Sequence, residues 1–202
     1  MNECKRSENN WTRVAVFAGG DRGHYRTDFD CFVGVDRGSL WVLEEDLPLA
    51  LAVGDFDSVT AEERQVIQKS AQHFVQAQPE KDDTDLELAL LTVFEQNPQA
   101  QVTIFGALGG RIDHMLANIF LPSNPKLAPY MSHIAIEDGQ NLLIYCPEGT
   151  SQLEPSSDYD YLAFMPVRDS QLTIIGAKYE LTEENFFFKK VYASNEYIDR
   201  EV

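Results

Sequence analysis

Several things are scarce in this chain, and each scarcity removes a class of function. Basic residues are outnumbered: 16 Lys and Arg stand against 33 Asp and Glu, a formal net charge of −17 with a pI near 4.5. A nucleic-acid-binding surface leaves a basic footprint, and an anionic membrane repels a chain of this sign, so neither partner is expected. No apolar run approaches the roughly 20 residues that span a bilayer. The stretch from Met1 to Trp11 is polar and lacks the apolar segment of a secretory signal. The three cysteines, Cys4, Cys31 and Cys146, lie far apart and form no CxxC pair. That excludes a disulfide framework and a zinc pattern, and it suits reduced thiols in a cytoplasm. Neither GxxxxGK[ST] nor GxGxxG occurs, which excludes two common phosphate-binding fingerprints. His24, His73 and His133 show no ligand spacing, His114 stands alone, and no Ser/His/Asp or Cys/His arrangement points to a nucleophilic hydrolase.

What is present is an ordinary globular composition: 202 residues, 44% hydrophobic and 24% charged, enough for a core in one or two domains. Apolar runs at 14–18, 31–35, 49–53, 73–76 and 102–105, bounded mostly by Gly or Asp, predict buried parallel strands. Thr60-Ala61-Glu62-Glu63 and Thr84-Asp85-Leu86-Glu87 are capping boxes that open helices between them. In the second helix Leu86, Ala89, Leu90, Val93 and Phe94 form one apolar stripe. A further helix is expected from near Arg111, with Ile112, Met115, Leu116, Ile119 and Phe120 inward. Prolines 122, 125 and 129 break the pattern. Beyond them only short strand-like runs follow, at 133–137, 141–146, 160–166, 171–175 and 178–181. The predicted architecture is therefore α/β: a mostly parallel-sheet domain over residues 12–125, then a small all-β, sandwich-like domain over residues 130–202.

The acids are not scattered. Asp36-Arg37-Gly38, Gly54-Asp55-Phe56-Asp57-Ser58, Lys81-Asp82-Asp83-Thr84-Asp85 and Gly106-Ala107-Leu108-Gly109-Gly110-Arg111-Ile112-Asp113-His114 each follow a predicted strand and precede a helix or turn. In a parallel sheet these strand ends share one edge, where open α/β sheets bind ligands. Two carboxylates about 4 Å apart repel by roughly 4 kcal/mol at an effective dielectric of 20, so several together need protons or cations. Hard oxygen donors without His or Cys favour Mg²⁺, and Mg²⁺ held this way usually carries substrate phosphates. Asp55 and Asp57 share one side if their segment is extended; the same residues also suit a plain turn. The glycines before Arg111 open a helix and suit a phosphate, or a simple surface turn.

Taken in order and spacing, these motifs resemble the thiamine pyrophosphokinase family, with Gly34-Val35-Asp36-Arg37-Gly38 similar to its early motif and Ser194-Asn195-Glu196 to its closing one. Arg37 stands where many members have glycine. The resemblance implies an α/β catalytic domain followed by a β-sandwich that binds thiamine, in a cytoplasmic homodimer. The implied reaction moves the pyrophosphoryl group of ATP onto the hydroxyl of thiamine, with Mg²⁺. Asp55, Asp57 and Asp85 resemble the catalytic and metal site, and Asp36 and Asp82 line it. Thr84, Arg111 and Asp113 resemble ATP contacts, and Ser194 and Asn195 resemble thiamine contacts. No tryptophan follows Trp41, so Phe186, Phe187, Phe188 and Tyr192 are the candidates to stack on the thiamine ring. Two other readings compete: a diphosphokinase for another alcohol such as a hydroxymethylpterin, and a non-catalytic nucleotide or thiamine sensor.

Overall fold

The computed structural model describes residues 11–78, 82–167, 171–187 and 190–198. The polar N-terminal stretch before Trp11, Lys81 and Phe188 lie outside the described residues. The chain divides into two compact units, one ending at Gly149 and one beginning at Thr150.

Among the described residues, the first unit is built on a seven-stranded sheet. Its strands are β1 (Arg13–Phe17), β2 (Cys31–Val35), β3 (Leu49–Gly54), β4 (His73–Gln76), β5 (Gln101–Phe105), β6 (Ile134–Glu137) and β7 (Leu142–Ile144), in the order β4-β3-β2-β1-β5-β6-β7. All neighbours pair in parallel except β6 and β7. The continuous apolar runs have a physical cause: strands covered on both faces need apolar residues at every position. Val14 and Val16 join one core cluster while Ala15 and Phe17 join another, so the strand feeds two separate layers.

Helices fill those layers. α1 (Gly38–Glu44) and α2 (Ala61–Ser70) supply Leu40, Trp41, Val42 and Ile67 to one face. α3 (Asp85–Gln96) supplies Leu86, Ala89, Leu90, Val93 and Phe94 to the other, the stripe read from the sequence. Thr60 and Thr84 both cap as expected, each in a complete capping box. α1 has no such cap and was not predicted.

Two expectations are corrected. The runs at 133–137 and 141–146 do not belong to the β unit; as β6 and β7 they extend the first sheet past β5, and the compact unit closes well beyond the prolines. The helix after Arg111 forms as α4 (Ile112–Ile119), but its apolar face is not buried. Ile112, Leu116 and Phe120 are 70%, 45% and 39% exposed. Periodicity demands that a face be covered without saying by what.

The second unit pairs β8 (Leu162–Phe164) with β9 (Tyr192–Asn195) antiparallel, with further bridges between Ile174 and Leu181 and between Ala177 and Tyr197. Ile174, Ala177 and Leu181 form its small core, with Phe164, Leu172, Phe186 and Tyr192 against it. Tyr192 is also tied to Phe187, whose N–H donates to the Tyr192 hydroxyl at 2.6 Å.

Candidate active site

The site begins where β2 and β3 end. Asp36 follows β2 with φ of 47°, a left-handed conformation that Asp adopts more readily than most residues. Its N–H donates to the Val53 carbonyl (2.9 Å), which ties it to β3. Its Oδ1 accepts from the N–H of Phe56 at 3.0 Å. Gly54 makes room for this: a Cβ there would stand 1.9 Å from Asp36 Oδ1. Phe56 also takes positive φ (60°), held by burial and by stacking on Phe74 at 4.7 Å. Asp55 Oδ1 accepts from the N–H of Asp57 at 3.1 Å, a local turn.

Asp85 arrives from the other side of the crevice as the first residue of α3. Thr84 and Glu87 cap each other there: Glu87 N–H donates to Thr84 Oγ1 (3.2 Å) and Thr84 N–H to Glu87 Oε2 (2.7 Å). The result is a group of three half-buried carboxylates. One oxygen each from Asp36, Asp55 and Asp85 lies within 4.8 Å of the others. Burial, then the charges of Asp85, Asp55 and Asp57, push Asp36 up to about 6, against the Phe56 hydrogen bond that favours its ionised form. Three hard oxygen donors in one place, with one already reluctant to ionise, fit a divalent cation of the Mg²⁺ type.

The structure brings together some of the residues read from the sequence and not others. Asp55 and Asp85 meet as expected, but the third carboxylate in the group is Asp36, and Asp57 stays outside it with an exposed side chain. The turn at Phe56 is the reason, because sharing a side at every second residue requires an extended backbone. Asp82 is exposed near the start of α3. Asp83 anchors the segment after α4, pairing with Lys126 Nζ at 2.5 Å and accepting from Asn124 Nδ2 at 3.2 Å. Arg111 and Asp113 pair with each other through two hydrogen bonds of 3.1 and 2.6 Å, both exposed at the start of α4. The guanidinium holds the Asp113 carboxyl below its usual range.

Ser194 and Asn195 belong to the second unit. Ser194 is exposed with φ of 58°. Asn195 is 3% exposed, and its amide is engaged by backbone: Nδ2 donates to the Tyr179 carbonyl (2.7 Å), while Oδ1 accepts from the N–H groups of Tyr179 (2.9 Å) and Glu196 (3.0 Å). These bonds fix the segment that carries Ser194 against the backbone of Tyr179.

Three further residues were not singled out from sequence. Asn118 on α4 donates to the Ala107 carbonyl at 2.8 Å and holds the glycine loop against the helix. Glu137, 7% exposed at the end of β6, accepts two 3.0 Å hydrogen bonds from Arg26. Asn124 reaches both Asp83 and Glu87. Asn118 lies four residues beyond the glycine motif, on the helix that motif opens; for the other two, only a polar residue at a strand end or turn was visible.

Two family models match the chain: thiamin pyrophosphokinase, catalytic domain, over residues 23–129, and thiamin pyrophosphokinase, vitamin B1 binding domain, over residues 150–202. The thiamine pyrophosphokinase of Bacillus subtilis (strain 168) is 36% identical over 176 residues, covering 83% of this chain and 81% of that protein. A solved thiamin pyrophosphokinase family protein from Enterococcus faecalis is similar with a TM-score of 0.85 at 43% identity, covering 93% of this chain and 91% of that one. The solved B. subtilis thiamine pyrophosphokinase gives 0.78 at 34% identity, covering 93% and 91%.

Proposed function

The chain belongs to the thiamin pyrophosphokinase family, and from that premise we propose that it transfers the pyrophosphoryl group of ATP to the hydroxyl of thiamine. The observation that carries this is the carboxylate group of Asp36, Asp55 and Asp85 at the carboxyl edge of the α/β sheet. The hydroxyl oxygen attacks the β-phosphorus, the bond from that phosphorus to the oxygen bridging to the α-phosphate breaks, and AMP departs. Asp36, Asp55 and Asp85 would hold Mg²⁺, which supplies neutralisation of the triphosphate charge. Asp57, beside that group but outside it, accepts the hydroxyl proton. Arg111, fixed by Asp113, presents a forked donor to the phosphates, with Thr84 and Asp82 at the same edge. Positioning and fixed charge supply most of the acceleration in such transfers.

Thiamine contacts fall to Ser194, held by Asn195, with Phe186, Phe187 and Tyr192 as the aromatic surface of that unit. The unit boundary at Thr150 supports placing the thiamine-binding domain from there onward. The free thiols of Cys31 and Cys146 support a reducing, cytoplasmic setting. A homodimer is supported by the uncovered face of α4 together with Leu142 and Ile144 on the edge strand β7, 44% and 51% exposed. The two surfaces are joined, because the Tyr145 hydroxyl donates to the Ile119 carbonyl at 2.9 Å. Neither a pterin alcohol as acceptor nor a purely sensing role is favoured by any of these features.

The test is direct. Purified protein with thiamine, ATP and Mg²⁺ is expected to yield thiamine diphosphate and AMP, identified by mass. ADP with thiamine monophosphate, or AMP without thiamine dependence, would reject the reading.

A further inference from the structure

Asp85 is the member of the carboxylate group that stands at a helix start, and a distant turn grips that start. The turn is centred on Asn124. On either side of it Leu121 and Leu127 are buried in the same core cluster as Leu86, Ala89 and Leu90 of α3. Further on, the Tyr130 ring stacks on Phe94 of α3 with centroids 4.2 Å apart. Between these anchors the backbone closes on Asn124. Its N–H donates to the Leu121 carbonyl (3.1 Å), and its carbonyl accepts from the N–H groups of Leu127 (3.0 Å) and Ala128 (2.9 Å).

The Asn124 side chain then spans the helix start. Its Nδ2 donates to Asp83 Oδ1 at 3.2 Å and to Glu87 Oε1 at 2.9 Å, one carboxylate on each side of Asp85 in the chain. The second oxygen of each is also engaged. Glu87 Oε2 accepts from the Thr84 N–H at 2.7 Å, and Asp83 Oδ2 pairs with Lys126 Nζ at 2.5 Å. Asn124 Oδ1 accepts from the N–H of Lys126 at 3.0 Å, which turns the NH₂ toward the two carboxylates. An amide NH₂ has two hydrogens and no charge, so it serves two anions at once. An aspartate here would instead bring a further carboxylate against Asp83 and Glu87.

α2 shows how much a capping box does by itself. Thr60 and Glu63 cap each other at 3.2 and 2.7 Å, the same distances as Thr84 and Glu87. That local motif starts a helix. The bonds from Asn124 add a long-range tie, joining the start of α3 to a turn anchored in the core. They bear on where Asp85 stands relative to Asp36 and Asp55, which come from the ends of β2 and β3. Mg²⁺ takes its oxygens at about 2.1 Å in a near-octahedral array, so carboxylates from three separate segments need their backbones held. Groups behind metal ligands commonly change affinity by roughly 10–100-fold.

We propose that Asn124 is a positioning residue for the cation site: through Asp83 and Glu87 it holds Asp85 in register with Asp36 and Asp55, and so sets the affinity for the divalent ion. The proposal rests on the Mg²⁺ site of the reading above. The experiment measures binding of Mn²⁺ alone to the full chain, from the loss of the free-ion electron paramagnetic resonance signal, in the parent, Asn124→Ala, Asp55→Asn and Thr60→Ala. Asn124 has φ of −67° and ψ of 118°, which alanine adopts freely, and the substitution alters no charge. Asn124→Ser, a turn residue too short to reach either carboxylate, is the second variant and carries the same expectation. Thr60→Ala removes the equivalent cap from a helix that holds no member of the carboxylate group, which controls for lost stability. Mn²⁺ affinity should fall at least fivefold in Asn124→Ala and stay within twofold of the parent in Thr60→Ala. A smaller fall, or an equal loss in Thr60→Ala, overturns the proposal while leaving the cation site in place. A parent that binds no Mn²⁺, or binds it equally well after Asp55→Asn, removes the cation site itself and the proposal with it.

Discussion

Asp36 is where charge, burial and backbone strain converge. Its carboxyl is raised from 3.8 to about 6 by burial and by its acidic neighbours. A group whose pKa is higher folded than unfolded stabilises the fold at low pH, and that stabilisation is lost as pH rises through the folded value. The metal-free protein should therefore lose thermal stability between about pH 4 and pH 7, and Asp36→Asn should flatten this slope and raise the melting temperature at pH 7. Asparagine tolerates the same positive φ and still accepts from Phe56 N–H. The variant should also lose most of the stabilisation that Mg²⁺ gives the parent. Asp55→Asn should cut turnover by roughly 10²–10³, the scale of one lost electrostatic contact, with unchanged circular dichroism. Near-normal turnover would remove Asp55 from the site. Much of this was legible: the DxD and DDTD clusters were placed at strand ends from sequence alone. That Asp36, and not Asp57, lies close to Asp55 and Asp85 was not legible, because the positive φ of Phe56 goes with its stacking on Phe74, a contact between distant residues.

Elements were legible in proportion to how locally they are determined. α3 announces itself through Thr84, Glu87 and a five-residue stripe, all present in the sequence. Thr84→Ala should lower stability by about 1 kcal/mol in urea denaturation, and should reduce activity further by loosening Asp85 at the helix start. α1 has no such signal. Gly38 to Val42 are all buried, and a Cβ on Gly38 would stand 1.9 Å from the Phe17 carbonyl, so tertiary packing shapes this short helix. β6 and β7 were assigned to the wrong unit because a short apolar run does not encode which sheet it joins. α4 shows the converse, a legible periodicity whose apolar face is exposed among the described residues. Leu116→Glu should convert the proposed dimer to a monomer by light scattering while leaving the circular dichroism unchanged. A dimer that survives this change does not use that face.

The whole molecule carries −17, and ATP carries the same sign. Long-range repulsion of this kind slows encounter and weakens binding, most at low ionic strength where the Debye length is longest. Most of that charge is ordinary surface acidity, which helps keep the protein dispersed. The part that the proposed reaction uses is concentrated in the acidic crevice, where a divalent cation would turn a repulsive edge into a phosphate site. One measurement addresses the whole account: the rate of AMP and thiamine diphosphate formation against Mg²⁺ concentration, for the parent chain and for Asp55→Asn. The expected result is one AMP per thiamine diphosphate, no product without Mg²⁺ or thiamine, and a loss of roughly 10²–10³ in the variant at saturating Mg²⁺. Product formed at the parent rate in the absence of divalent cation, or by the variant, would contradict it.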